Sequence, residues 1–304
     1  MNRVRPLLCL LFAGLAGLAL FVSRSDADPG TVKRIAPGVY FREGDMDLGH
    51  CNNVIIEMKD YLIVVDANFP SGARAAMADA KRVSSKPVKY VFDTHHHGDH
   101  LYGNSLWTQA GATTIAFQGV SEELKRLEPA RWQAAAKTRK DIEELHQPAP
   151  EPPKQDIHEQ VMVLNDGSRK VEFRHFGWAH TKGDGFVYLP KEQILCTGDA
   201  VVNGPYNATM DANVANWPVV LAAAGKLRVQ SVLPGHGVPG GKELIAGQAQ
   251  FMTDLYKAVK EGVDQGKSLA DLQAGVHLPA ADRNWVKDGT LQGQIKDTFA
   301  QIKK

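Results

Sequence analysis

The segment Asp93-Thr94-His95-His96-His97-Gly98-Asp99-His100 places four potential metal ligands, His95, His97, Asp99 and His100, within six residues. It directly follows an apolar run, Val88-Lys89-Tyr90-Val91-Phe92, that reads as a buried strand. On a strand or the loop leaving it, positions 95, 97 and 99 alternate to a common side. His95 and His97 can then grip one metal while Asp99 and His100 turn toward a second. Imidazole plus carboxylate without thiolate suits zinc first, with iron or manganese as lesser options. Histidine runs also occur as expression tags or surface clusters. This one is internal, flanked by a strand and interrupted by an acid, which favours the ligand reading.

A chain of 304 residues at 43% hydrophobic content can bury a large core. Arg3 and Arg5 precede an apolar stretch from Leu7 to Val22, and Ser25-Asp26-Ala27 follows as a small-residue exit. That layout predicts a signal peptide over residues 1–27 and a secreted or periplasmic mature protein. The stretch is shorter than the ~20 residues of a usual spanning helix, so membrane attachment is expected only through an uncleaved leader. Losing residues 1–27 removes three arginines and one aspartate and takes the formal charge from +1 to −1. Such a chain has no electrostatic reason to bind nucleic acid. Cys51 and Cys196 then remain. Two separate buried thiols are the expected state, although an oxidising compartment would permit pairing.

Val39–Arg42, 53–58 and 61–65 read as strands, with Lys59-Asp60 as a tight turn between the last two. Residues 73–83 read as a helix, and Thr113–Phe117 as a further strand. This alternation predicts α/β layering, with one domain over residues 28–304. Within it, 118–160 reads as a helical and Pro-rich insertion. Its polar helix has the pattern of a solvated face, and the Pro148-Ala149-Pro150-Glu151-Pro152-Pro153 run makes a stiff connector; a lid over a site is the less favoured alternative. Residues 241–304 read as C-terminal helices. In the second half, strands at 171–176, 193–196 and 231–233 lead to Ala179-His180, Gly198-Asp199 and Gly235-His236. Taken singly, His180 suits a satisfied loop, Asp199 a cap and His236 a Gly-rich turn. Together with the first cluster they make seven ligand candidates. Two zinc ions ~3.5–4 Å apart need an anionic bridge, and Asp199 can provide one.

The H-x-H-x-D-H motif, Ala-His-Thr-Lys-Gly-Asp at 179–184, Thr-Gly-Asp at 197–199 and Gly-His-Gly at 235–237 resemble, in order, the metallo-β-lactamase fold superfamily. The resemblance runs from about residue 35 to about 240. It implies a four-layer αβ/βα sandwich with His95, His97 and His180 on a first zinc, Asp99, His100 and His236 on a second, and Asp199 between them. It also implies that Asp66 and Asp184 orient these groups from behind. One β-lactamase branch has Cys where Asp199 stands and lacks a histidine at position 100; another keeps that histidine and has no bridging Asp. Carrying both makes the chain similar to glyoxalase-II-type thioesterases, lactonases and general hydrolases, without evident glutathione-binding basic residues in 242–304. The flavodiiron branch needs a Glu where His97 stands.

The expected activity is therefore hydrolysis of an ester, thioester, lactone or amide in a small acyl substrate, using a metal-activated water with Asp99 as the catalytic acid–base. Alternatives are a β-lactamase, a mononuclear-iron persulfide dioxygenase and a non-catalytic metal-binding protein; a nuclease role finds no basic patch. For the substrate pocket the expected residues are His50 and Asn52, Trp178 as an aromatic wall, and Val202. Related enzymes place a Lys or Tyr at the position of Val202, so substrates that depend on one carboxylate contact are expected to bind poorly.

Overall fold

The computed structural model describes residues 31–287 and 289–303. The expected leader over residues 1–27 lies outside them. No helix among the described residues is long and apolar enough to cross a membrane.

The chain opens with β1 (Val32–Ala36), β2 (Val39–Arg42), β3 (Asn53–Glu57) and β4 (Leu62–Val65), each antiparallel to the next. The helix α1 (Pro70–Val83) then crosses over to β5 (Val88–Phe92), which runs parallel to β4. Two short helices, α2 (Gly98–Leu101) and α3 (Asn104–Gln109), lead to β6 (Thr113–Phe117). The insertion forms α4 (Gln118–Ala136) and α5 (Lys140–Glu143), and its Pro-rich connector ends in β7 (Gln155–Ile157) at the edge of this seven-stranded sheet. The second sheet holds β8 (Val161–Asn165), β9 (Lys170–Arg174), β10 (Phe186–Leu189), β11 (Ile194–Gly198) and β12 (Ser231–Pro234). Its outer face carries α6 (Trp217–Ala224), α7 (Glu243–Asp264), α8 (Leu269–Gly275) and α9 (Thr290–Ile302). β1, β7 and β8 carried no sequence signal of their own; all three are edge strands.

The layering follows from which faces are apolar. Val54, Ile56, Ile63 and Phe92 of the first sheet meet Phe173, Val187 and Leu233 of the second in one shared core. The opposite face of the first sheet, with Ile55, Leu62 and Val64, packs on Ala73, Ala76 and Ala80 of α1. Beyond the second sheet, Phe186 and Leu195 meet Trp217, Phe251 and Leu255. Strands covered on both faces read as continuous apolar runs, and the result is the expected four-layer αβ/βα sandwich. Each fully buried large aliphatic contributes about 1.5–3 kcal/mol. This firm frame brings the loops leaving β4, β5, β11 and β12 to one edge.

Candidate metal centre

The edge is built from backbone outward. Asp66 ends β4 in the left-handed region (φ 68°), a conformation that costs a non-glycine residue energy and persists only where surroundings enforce it. Its N–H donates to the Phe92 carbonyl at 2.8 Å, and its Oδ1 accepts from the Thr94 N–H at 2.8 Å. Oδ2 lies 2.9 Å from His100 Nδ1. One carboxylate thus aligns the loop and fixes a ring. The alternation expected for positions 95, 97 and 99 does not persist through the motif. The chain leaves β5 as a bend and turns into α2 at Gly98, so Asp99 and His100 project from a helical turn.

Each of the five candidate histidines has one ring nitrogen anchored and the other turned inward. His95 Nδ1 lies 3.0 Å from Thr94 Oγ1, and His180 Nδ1 donates to the Ala208 carbonyl at 3.0 Å. His97 Nε2 donates to Asp211 Oδ2 at 2.9 Å. His236 Nδ1 lies 3.2 Å from Met46 Sδ. The inward Nε2 atoms of His95 and His180 stand 3.1 and 3.0 Å from His97 Nδ1. Lone pairs facing each other at that separation repel unless a proton or a metal cation lies among them. A second set forms beside it: His236 Nε2 is 3.0 Å from Asp99 Oδ2 and 3.4 Å from His100 Nε2. Asp199 lies between the sets, with Oδ1 3.3 Å from His100 Nε2 and Oδ2 3.5 Å from His236 Nε2 and 3.9 Å from His180 Nε2. His95–His97–His180, His95–His100–Asp199 and Asp99–His100–His236 are each compact enough to hold a metal ion. Structure thus gathers all seven candidates.

Electrostatics divides them. Burial, reinforced by the neighbouring imidazoles, lowers His180 to about 3 and holds His95 well below its ordinary value, so both are neutral nitrogen donors. Burial opposes charge on His100 too, but the acidic groups Cys51, Asp199, Asp66 and Asp99 raise it well above the ordinary value. Burial likewise works against ionised Asp199, yet His236, His100 and His180 hold it below the usual carboxylate range. Cys51 and Cys196 are free and buried beneath the site, as two separate thiols; burial pushes Cys51 up to about 12.

Asp184 supports the loop from behind. It accepts from the Thr181 N–H and hydroxyl at 2.9 and 2.7 Å and from the Ala179 N–H at 3.2 Å, bracketing His180. Gly235 is required by closeness: a Cβ there would stand 2.1 Å from Asp199 Oδ1.

The metal-facing cleft of about 560 Å³ is lined by Met46, Phe69, Tyr102, Tyr206 and Met210, with His97, Asp99, Asp199 and His236 at its base. None of the four expected pocket residues lines it. Val202 is fully buried in the core outside the second sheet, its carbonyl accepting from Trp285 Nε1 at 3.1 Å. The chain after Asp199 turns inward there, so Val202 never reaches the cleft. His50 is buried with Nε2 2.8 Å from Ser71 Oγ. Asn52 donates to the carbonyls of Pro234 and Gly237 at 2.9 and 2.8 Å, framing His236 instead of contacting substrate. Trp178 is 40% exposed on a neighbouring groove, its Nε1 donating to the Asp211 carbonyl at 2.8 Å. The insertion helix α4 differs from a plain solvated face: Glu128 and Arg131 form one cleft wall.

Asp211 and Arg131 carried no sequence signal. Arg131 donates to both Asp211 oxygens at 2.7 and 2.9 Å and to Glu128 Oε1 at 2.9 Å. The middle histidine, His96, turns away from the seven, with Nε2 3.3 Å from Asp211 Oδ2. Asp211 comes from a loop 114 positions beyond His97, and no spacing rule links residues so far apart.

The profile of the metallo-β-lactamase superfamily matches residues 46–236. This chain belongs to the metallo-β-lactamase superfamily. Among curated relatives, the type 2 metallo-β-lactamase of Bacillus sp. (strain 170) is 25% identical over 200 residues, spanning 64% of this chain and 69% of its own. The type 2 enzyme of Bacillus cereus is 25% identical over 202 residues, spanning 64% and 70%. The structure resembles the metallo-β-lactamase FIM-1 from Pseudomonas aeruginosa in its mono-zinc form, with TM-score 0.60 and 22% identity over 73% of this chain and 94% of that one. It also resembles the inverting sec-alkylsulfatase Pisa1 from Pseudomonas sp., with TM-score 0.70 and 19% identity over 89% of this chain and 50% of the sulfatase. Both likenesses concern the fold. As a superfamily member with these His/Asp clusters, the protein is a metal-binding hydrolase.

Proposed function

We propose that the protein is an exported hydrolase that holds two zinc ions and cleaves an ester, thioester, lactone or amide bond in an uncharged, largely apolar acyl compound. The observation that carries the metal assignment is the orientation of the five rings, each anchored by one nitrogen so that the other converges on a carboxylate-bridged pair of sites. A buried donor set of imidazoles and carboxylates, with one Asp199 oxygen lacking any hydrogen-bond partner, fits zinc. His95, His97 and His180 would hold one ion, Asp99, His100 and His236 the other, and Asp199 would touch both. Zinc there would supply Lewis acidity and lower the pKa of a water toward neutrality. Asp99, with 25% of its side chain exposed at the cleft base, is placed to receive a proton from the attacking water and return it to the leaving group.

The substrate class rests on the cleft lining. Among the described residues lining it, the one Lys or Arg is Arg131, and its guanidinium is bound to Asp211 and Glu128. A substrate carboxylate therefore finds no uncommitted basic side chain. The curated relatives support a second reading, β-lactam hydrolysis. The deciding experiment is elemental analysis of the mature protein followed by turnover of lactone, thioester, aryl ester and β-lactam substrates. Two zinc ions per chain, with β-lactams showing a high KM beside the neutral acyl compounds, is expected. A KM in the low micromolar range for a penicillin would make β-lactam hydrolysis the better reading, and one iron per chain would refute the zinc assignment.

A further inference from the structure

The anchors behind the five rings are unequal. His97 and His100 are held by carboxylates, His180 by a backbone carbonyl and His95 by a hydroxyl. His236 alone among them faces a thioether, with Nδ1 3.2 Å from Met46 Sδ. Sulfur in a thioether is a weak acceptor. The ring also contacts Tyr206, with centroids 5.7 Å apart.

Met46 is itself well placed. It starts a single 3-10 turn, Met46–Leu48, that Asp45 caps through the Asp47 N–H at 3.0 Å and Gly49 closes through Met46 O at 3.1 Å, at φ 70°. From behind, Arg139 donates to the Leu48 carbonyl at 2.8 Å while its guanidinium lies 3.7 Å over Phe69. The turn is fixed, yet Met46 remains 42% exposed at the cleft mouth.

We propose that Met46 is the positioning residue for the second metal site: its sulfur accepts the Nδ1–H of His236 and so presents Nε2 inward beside Asp99 and His100. This rests on the two-metal reading above. Because the acceptor is weak, the second site is the less preorganised and releases its ion first. Outer partners of ligating histidines typically alter metal affinity by about 10–100-fold, and a thioether belongs at the lower end of that range.

The test is zinc titration of the full mature chain against a chromophoric chelator, with nitrogen NMR of the His236 ring as an independent readout. Met46→Leu keeps the apolar volume and removes the acceptor. It is expected to weaken the second zinc by about tenfold, leave the first unchanged, and populate the other His236 tautomer. Met46→Gln, which offers an oxygen within one bond of the sulfur position, is expected to restore or tighten the second site. Thermal unfolding of both variants in the metal-free state checks that the fold is intact. Two zinc ions of unchanged affinity in Met46→Leu, or equal weakening at both sites, overturns the proposal while leaving the two-metal reading intact. One zinc in the wild-type chain overturns the two-metal reading and this proposal with it.

Discussion

Replacing Asp211 with Asn tests whether a residue outside every motif governs the first metal site. The carboxylate accepts from His97 Nε2 at 2.9 Å and from Arg131 at 2.7 and 2.9 Å, with His96 at 3.3 Å. Burial opposes its charge, but His96, His97 and Arg131 hold it well below the usual carboxylate range. Asn keeps the shape, loses the charge and turns an NH2 group toward donors that need an acceptor. Hydrogen bonds to a charged group contribute about 1.5–3 kcal/mol each. The Arg131 side chain is 33% exposed, so solvent screening reduces its share. A net loss of roughly 2 kcal/mol in stability is expected. The freed His97 ring should also lower affinity at the first site by about 10–100-fold, equivalent to about 1.4–2.7 kcal/mol. Chelator competition measures the affinity, and denaturant unfolding of the metal-free protein measures the stability. Arg131→Gln should produce a smaller change of the same kind. First-site affinity within about twofold of wild type in Asp211→Asn would refute the reasoning.

Asp99→Asn at full zinc occupancy is expected to lower turnover by about 100-fold or more; wild-type turnover at that occupancy would reduce Asp99 to a ligand. Val202→Lys places an ammonium in a sealed core, so it is expected to destabilise the fold by about 3 kcal/mol or more without lowering KM for a carboxylate-bearing substrate, as thermal unfolding and initial rates will show. Asp282 is buried, and burial together with the Asp254 carboxylate pushes its pKa from 3.8 to about 6. The native state thus binds the proton more tightly than the unfolded chain. Stability should fall as pH rises from about 4 to 6 and stay lowered above it. Asp282→Asn is expected to flatten that profile and raise stability at pH 8; an unchanged profile in urea unfolding would exclude the effect. Gly235→Ala drives a methyl against Asp199 Oδ1 and is expected to reduce zinc content measured by elemental analysis while the strands persist in far-UV circular dichroism.

Much of the site was legible because it is written locally. His95, His97, Asp99 and His100 sit within six residues, and the remaining three candidates each follow a strand. Strand ends at one edge of layered sheets converge whatever joins them, so a motif after each of β5, β11 and β12 implies a shared site. The apolar runs that became β3, β4 and β5 were equally plain, because strands buried on both faces need apolar residues throughout.

What the linear order could not carry is direction and distance. Val202 lies three residues past Asp199, and adjacency suggested a shared pocket. Only packing against Trp285 and Gln248 turned it into the core. Trp178 neighbours His180 in much the same way, yet its indole reaches Asp211 from another groove. Conversely, Asp211 and Met46 meet His97 and His236 from far along the chain, and Arg131 acts there only through Asp211. Metal ligands tolerate few residue types and declare themselves by identity and spacing. The groups that aim those ligands need only present an acceptor at the right place, a condition many side chains satisfy and only the folded chain selects.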